Sequence, residues 1–451
     1  MILYIKKLKS KPKINMIDNK LKKILVIGSG GREHAVCDAF LQSPQKVKIY
    51  ALPGNAGTAK IAENISSIKI NEHQKIIDFC HEKEIDFVFV GPEQPLVDGL
   101  IDELENNQIL AFGPSKIASQ LEGSKVFMKK IAEDNSIPTA HYKTFIDAKE
   151  AIEFTQKIGF PCVIKADGLA SGKGVVIVEN VQEATKNIEE ILNGKFGNAG
   201  KKIIVEEFLK GFEASYFVIS DGKNFLPLGF AHDHKKVSEN ETGLNTGGMG
   251  TYAPSPFISK KLEQKIIQTI IKPTLDGLKN INAPFKGILF AGLMINNDEV
   301  KLLEFNVRFG DPETQVLLPR IKSDFITLIE SAIDGDLENY KISFDEEKKV
   351  VCVVICSRGY PENYIKNIEI KNLNIIESKI SNDIKFNNVK IIHAGTSIKD
   401  QKIIATGGRV LNIVAQANSF DEARNIAYQV VDLIDWPEGF VRKDIALKAC
   451  L

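Results

Sequence analysis

In the segment LLEFNVRFGDPE (302–313), a glutamate, an asparagine and an arginine alternate with apolar residues. Alternate side chains on a strand share a face, so Glu304, Asn306 and Arg308 would project together from an otherwise apolar element. Burying such groups without compensation is costly. Glutamate and asparagine offer the hard oxygens that Mg²⁺ prefers, and a cation beside them suits an anionic substrate. An ion pair between Glu304 and Arg308 is the plainer alternative. The pattern favours a catalytic metal edge.

Two glycine-rich segments suggest phosphate chemistry without matching its common templates. GSGGREHA (28–35) begins like a dinucleotide fingerprint, but Glu33 stands at the third glycine position. No acidic residue ends the second strand to hold a ribose; that strand runs into Pro53, Gly54 and Asn55, which disfavours NAD. A backbone cradle for one phosphate at a helix N-terminus remains, alongside a plain tight turn. GLASGKGV (168–175) has three residues between Gly168 and Gly172, one fewer than Walker A requires, and a strand follows Gly174. It reads as a hairpin loop that could fold over phosphates with Lys173, or as a mobile solvent loop.

Two further segments supply polar groups. IIVEEFLKGFEAS (203–215) is an apolar strand whose backbone could pair with adenine, while Glu213 could accept from ribose hydroxyls. AHDHKKVSENETGLNTGGMG (231–250) sets His232, Asp233, His234 and Lys235 before a glycine-rich turn. His-x-His lacks a third ligand at useful spacing, so recognition of an anionic substrate by Lys235 and the 246–250 amides is favoured.

The elements that must position these groups are legible in outline. The chain has 451 residues, 43% hydrophobic and 26% charged, with 58 basic residues against 58 acidic ones. Its length suggests about three domains, and its balanced charge gives no global attraction to nucleic acid or acidic membranes. No apolar run approaches membrane-helix length. Six scattered cysteines fit a reducing compartment, and Cys352 and Cys356 read as buried thiols. The lysine-rich segment 1–20 reads as a disordered tail, or as sequence upstream of a start at Met16. Strands alternating with helices predict a parallel α/β layer to about Glu122, with glycine-bearing turns after its strands at one sheet edge. A small antiparallel lid is expected over 124–190, a larger α+β segment over 191–335, including a strand at 202–206, and a C-terminal α+β domain over 336–451.

Together and in this order, these motifs resemble the phosphoribosylamine–glycine ligases (glycinamide ribonucleotide synthetases), a family of ATP-grasp enzymes. PGNAGT, VGPEQPLVDG, LEGSK, IPTA, VIKADGLASGKGV, EEFLKGFEAS, DHKK, TGGMG, EFNVRFGDPETQ, HAGT and RKDIA extend the resemblance from about Leu21 to the C-terminus. It implies an ATP-grasp fold behind an N-terminal α/β domain, and ATP-dependent joining of glycine to 5-phosphoribosylamine through glycyl phosphate. It further implies ATP and Mg²⁺ or Mn²⁺ as cofactors, small-molecule substrates, no nucleic-acid or membrane partner, a monomer, and a cytoplasmic location.

By the same resemblance, Lys125 and Lys165 reach the ATP phosphates beneath a closing loop of Ser171, Gly172, Lys173 and Gly174. The backbone of Glu206, Glu207, Phe208 and Leu209 holds adenosine with Glu213, and Glu304 and Asn306 bind the metal. Glycine and its acyl phosphate lie near Asp233, Lys235, Gly248 and Arg308. Phosphoribosylamine meets Gly30, Gly31, Asn55, Glu93 and Asp98. Two departures from the family pattern are His232, where glutamine is usual, and Ala446, where glycine is usual; neither falls on a proposed chemical role.

Overall fold

The computed structural model describes residues 20–170 and 174–451. The expected basic tail, apart from Lys20, and Ser171, Gly172 and Lys173 of the closing loop lie outside the described residues.

Near-continuous apolar runs make the first layer. β1 (Lys22–Gly28), β2 (Val47–Pro53), β3 (Glu63–Asn64), β4 (Phe87–Val90) and β5 (Ala111–Phe112) form a parallel sheet in the order β3-β2-β1-β4-β5. Ile24 to Ile27 and Phe87 to Val90 are buried, as expected of parallel strands covered on both faces. β1, β2, β4 and β5 run into Gly28, Gly54, Gly91 and Gly113, so these turns share the carboxyl edge where such sheets bind ligands.

The lid is larger than its sequence suggested. β6 (Tyr142–Phe145), β7 (Cys162–Ala166), β8 (Val175–Val178) and β9 (Ile203–Glu207) make an antiparallel sheet in the order β6-β9-β7-β8. The expected strand at 202–206 is therefore a central lid strand, and the lid extends through Glu207, beyond the expected boundary at 190. Phe145, Ile164, Ile203 and Val205 belong to its own small core. At the lid's root, Leu302 N–H donates to Pro138 (2.7 Å), and Thr139 Oγ1 donates to the Leu302 carbonyl (2.8 Å).

The third layer is a nine-stranded sheet. It includes β10 (Phe212–Asp221), β11 (Phe225–Asp233), β14 (Gly250–Ala253), β15 (Lys286–Asn296) and β16 (Glu299–Asn306); β12 (Lys236–Ser238) and β13 (Thr242–Asn245) form a separate ribbon. The C-terminal β17 (Lys349–Ser357) pairs with β14 through Val350 to Val353. β18 (Ile368–Glu369), β20 (Thr396–Lys399) and β21 (Lys402–Ala405) form a small sheet, while β19 (Val389–His393), β22 (Arg409–Ala417) and β23 (Gly439–Phe440) join the large one. Its main order is β16-β15-β10-β11-β14-β17-β22-β19. The expected C-terminal domain thus continues the central sheet. VVCVVIC within β17 is buried throughout, as a strand covered on both faces requires, and all six cysteines are free thiols.

Candidate active site

Glu304 and Asn306 lie at the end of β16, on the outer edge of the large sheet. Among the described residues, nothing makes a hydrogen bond or ion pair to the Glu304 carboxylate. Burial would raise its pKa, but Lys235, Lys125, Lys165 and Arg308 outweigh that effect and lower it. Four cations therefore surround a carboxylate that none of them contacts, an arrangement suited to further anions.

Arg308 is placed differently from its sequence expectation. β16 ends at Asn306, and Arg308 makes no pair with Glu304. Its guanidinium donates to Glu122 (2.8 Å), Glu93 (3.3 Å), Asn306 Oδ1 (3.1 Å) and the Phe309 carbonyl (3.1 Å). It therefore ties the end of β16 to the N-terminal domain. Burial would raise Glu93, but Arg308 and Arg32 carry its pKa down to about 2. Burial pushes Glu122 up to about 7 against the field of Arg308.

On the lid side, Lys165 projects from β7, pairs with Glu206 and donates to the Leu303 carbonyl at 3.3 Å. Lys125 opens the helix Lys125–Asp134, whose start is held by Asp167. That carboxylate accepts from Ser124 Oγ (2.8 Å) and Val126 N–H (2.9 Å). Gly174 closes the far side of the loop through Ala166 N–H (2.8 Å). β9 is paired on both sides, and Glu207 N–H donates to His141. The Glu207 carboxylate accepts from Lys301 (2.7 Å) and His141 N–H (3.0 Å). The ladder ends there, so Phe208 and Leu209 supply backbone beyond it.

On β11, Asp233 Oδ1 is buried without a hydrogen-bond partner among the described residues. Burial and Glu313 raise its pKa well above the usual carboxylate range, against Lys235 and Arg409. Lys235 pairs with Glu213 at 3.0 Å, which brings the base of β10 to this pocket. Gly248 has φ +116, and a Cβ there would lie 2.5 Å from Asp233 Oδ1; only glycine fits both demands. The C-terminal segment holds the same loop. Gly247 N–H donates to Tyr360 Oη (2.9 Å), and Arg409 donates to the carbonyls of Gly247 and Asp311. His232 contacts Ser255 and the Glu213 carbonyl while His234 faces the Gly250 carbonyl, so the two rings have separate partners.

The expected phosphate cradle is filled by the protein itself. Glu33 accepts from Gly30 N–H (2.6 Å) and pairs with Arg32, while Asp311 accepts from Arg32 N–H (3.2 Å). Two internal carboxylates occupy the first turn of the helix Gly31–Leu41, where a phosphate would sit. Gly31 abuts Gln315, Asn412 and Asp311. Asn55 is also committed: its Nδ2 donates to the carbonyls of Ser29 and His393 (both 2.9 Å), and its Oδ1 accepts from Gly57 and Thr58. Asn55 thus positions its loop. Asp98 is exposed and accepts from Gln94.

The sequence matches the three domains of phosphoribosylglycinamide synthetase: the N domain over residues 22–122, the ATP-grasp (A) domain over 123–314 and the C domain over 350–448. A phosphoribosylamine–glycine ligase of Brucella melitensis is 48% identical over 427 residues, covering 95% of this chain and 98% of that one. The chain belongs to the phosphoribosylglycinamide synthetase family. A crystal structure of the Thermotoga maritima phosphoribosylamine–glycine ligase superposes with a TM-score of 0.80 at 30% identity, covering 94% of this chain and all of the other. The biotin carboxylase domain of a Hydrogenobacter thermophilus 2-oxoglutarate carboxylase, solved with MgADP, ADP and bicarbonate, reaches 0.70 at 17% identity, covering 93% and 91% of the two chains. That likeness is one of fold alone.

Within this synthetase, sequence reasoning missed Lys129, Glu122, Asp167, Tyr360 and Arg409. The spacing from Gly30 to Glu33 is that of a capping box and could have revealed the filled cradle. Lys129 gave no signal, because a lysine on an amphipathic helix ordinarily reads as solvated.

Proposed function

We propose that this synthetase joins glycine to 5-phosphoribosylamine, converting ATP to ADP and phosphate, and so makes glycinamide ribonucleotide for de novo purine synthesis. The observation carrying the site assignment is the Glu304 carboxylate, without a direct partner among the described residues and under the field of Lys125, Lys165, Lys235 and Arg308. The donor set fits a divalent cation: the Glu304 carboxylate and the Asn306 amide oxygen, which accepts from Arg308, are hard oxygen donors at the end of one strand. No group of three or more His, Cys, Asp or Glu among the described residues could hold a metal alone, so phosphates and water would complete the shell. Bound at Glu304 and Asn306, Mg²⁺ or Mn²⁺ would offset negative charge on the transferring phosphoryl group.

In this reading Lys125 and Lys165 hold the triphosphate. Phe208 and Leu209 extend the Glu206–Glu207 backbone towards adenine, and Glu213 faces the ribose. Asp233 receives the glycine ammonium, whose positive charge supplies the partner its carboxylate lacks. Lys235 and Arg308 orient the glycine carboxylate, which attacks the γ-phosphorus and releases ADP. The ribosylamine nitrogen then attacks the glycyl carbonyl carbon, forming the amide and displacing phosphate. Glu93, with Gly30 and Gly31 shaping the neighbouring backbone, faces the ribosylamine. Lid closure protects the acyl phosphate from water.

Incubation with ATP, Mg²⁺, freshly generated phosphoribosylamine and either glycine or bicarbonate tests this reading. Product of the glycinamide ribonucleotide mass with glycine alone is expected. Phosphate release driven by bicarbonate, with no such product from glycine, would reassign the enzyme to carboxylation.

A further inference from the structure

We propose that Lys129 is a positioning residue for the nucleotide, setting the charge that Lys165 presents to the phosphates by sharing Glu206 with it. This inference rests on the assignment of Lys165 to ATP. Lys129 lies one helical turn after Lys125, and its side chain is 1% exposed. Its Nζ is 2.7 Å from Glu206 Oε2, while Lys165 pairs with Oε1 of the same carboxylate. Lys129 also donates to Thr139 Oγ1 at 2.8 Å, and that hydroxyl donates to the Leu302 carbonyl on β16. Lys165 reaches the next carbonyl, Leu303, immediately before Glu304. The lid sheet and metal edge are thus joined through one buried carboxylate held by two lysines.

Charge separates this role from ordinary stapling. Two ammonium groups against one carboxylate leave a single positive charge in the buried cluster. Without Lys129, Glu206 would neutralise Lys165 alone, and the phosphates would meet a neutral pair. Burial pushes the Lys129 pKa down while the Glu206 field opposes it, so the carboxylate is what retains the second ammonium. A staple needs only a complementary pair. Two cations on one anion leave charge for a ligand.

Lys129→Met should raise the ATP KM, and the dissociation constant for a non-hydrolysable ATP analogue, about tenfold or more, as expected for losing a nearby charge at an effective dielectric of about 20. The glycine KM should stay within about twofold. Lys129→Met combined with Glu206→Gln restores the single positive charge and should recover most nucleotide affinity. Lys129→Arg should stay close to the parent. If Lys129→Met does not fold, Lys129→Gln removes the same charge while keeping a donor for Thr139 Oγ1, and should raise the ATP KM alone. Lys165→Met distinguishes the failures: unchanged nucleotide affinity there would overturn the ATP assignment itself. Weakened affinity in Lys165→Met, with normal affinity in folded Lys129→Met or Lys129→Gln, would overturn the proposal. So would a double variant weaker than Lys129→Met, as a purely structural role requires.

Discussion

The turn at Gly28 to Glu33 and the edge at Glu304 and Asn306 both resemble anion-handling sites, yet their polar groups are engaged in opposite ways. At the turn, Glu33 and Asp311 accept from the Gly30 and Arg32 amides. At the edge, Glu304 has no direct partner among the described residues, although four cations act on it. A glycine-rich turn becomes a ligand site only when its amides remain available. Here it is an internal joint between the first domain and the FGDPE segment, while the charge left over gathers at β16.

The largest effect expected from this contrast is on stability at the joint. Glu33→Ala breaks a buried pair with Arg32 and should cost about 3–5 kcal/mol in chemical denaturation. Inorganic phosphate should partly rescue that variant and leave the parent unaffected. Phosphate binding by the parent, with shifts in its Gly30 and Arg32 amide resonances, would break the contrast.

At the edge, Glu304→Ala should lower turnover by at least ~10²-fold while preserving the circular dichroism spectrum. Near-normal turnover in the folded variant would remove Glu304 from the metal site. A smaller effect is expected at the loop joining the two regions. Tyr360→Phe removes the acceptor for Gly247 N–H and should raise the glycine KM several-fold, corresponding to about 1 kcal/mol, with the ATP KM unchanged. Equal changes in both constants would make Tyr360 a general packing residue.

The smallest expected effect concerns His34, which accepts from His393 N–H at 2.8 Å. Burial, then the nearby His393, lowers its pKa to about 3. A depressed histidine stabilises the fold above the free value near 6.5, and this contribution is lost as pH falls towards 3. Between pH 6.5 and 4.5, His34→Gln should therefore lose stability less steeply than the parent. Parallel stability curves would show that His34 titrates alike in the folded and unfolded chains.

Much of the fold was legible because apolar runs ending in glycine specify parallel strands locally. The lid boundary was not, since β9 takes its place only by pairing with β6 and β7, far away in sequence. The continuity of the large sheet likewise depends on β14 meeting β17. Alternation made Glu304 and Asn306 visible, but the strand's end before Arg308 left that side chain to Glu93 and Glu122. Tyr360 and Arg409 reach the Gly247 loop from the C-terminal segment, a juxtaposition created by tertiary packing. At Ala446 φ is +60, a conformation that side chains disfavour.

In the proposed reaction the edge at Glu304 and Asn306 activates the glycine carboxylate by phosphorylation. Glycine labelled with heavy oxygen in both carboxylate positions tests it most directly. If the carboxylate attacks the γ-phosphorus, its bridging oxygen departs with phosphate when the ribosylamine nitrogen displaces it. Each phosphate released during ligation should then carry one heavy oxygen, read by mass spectrometry. Unlabelled phosphate at full product yield from demonstrably labelled glycine would contradict the account.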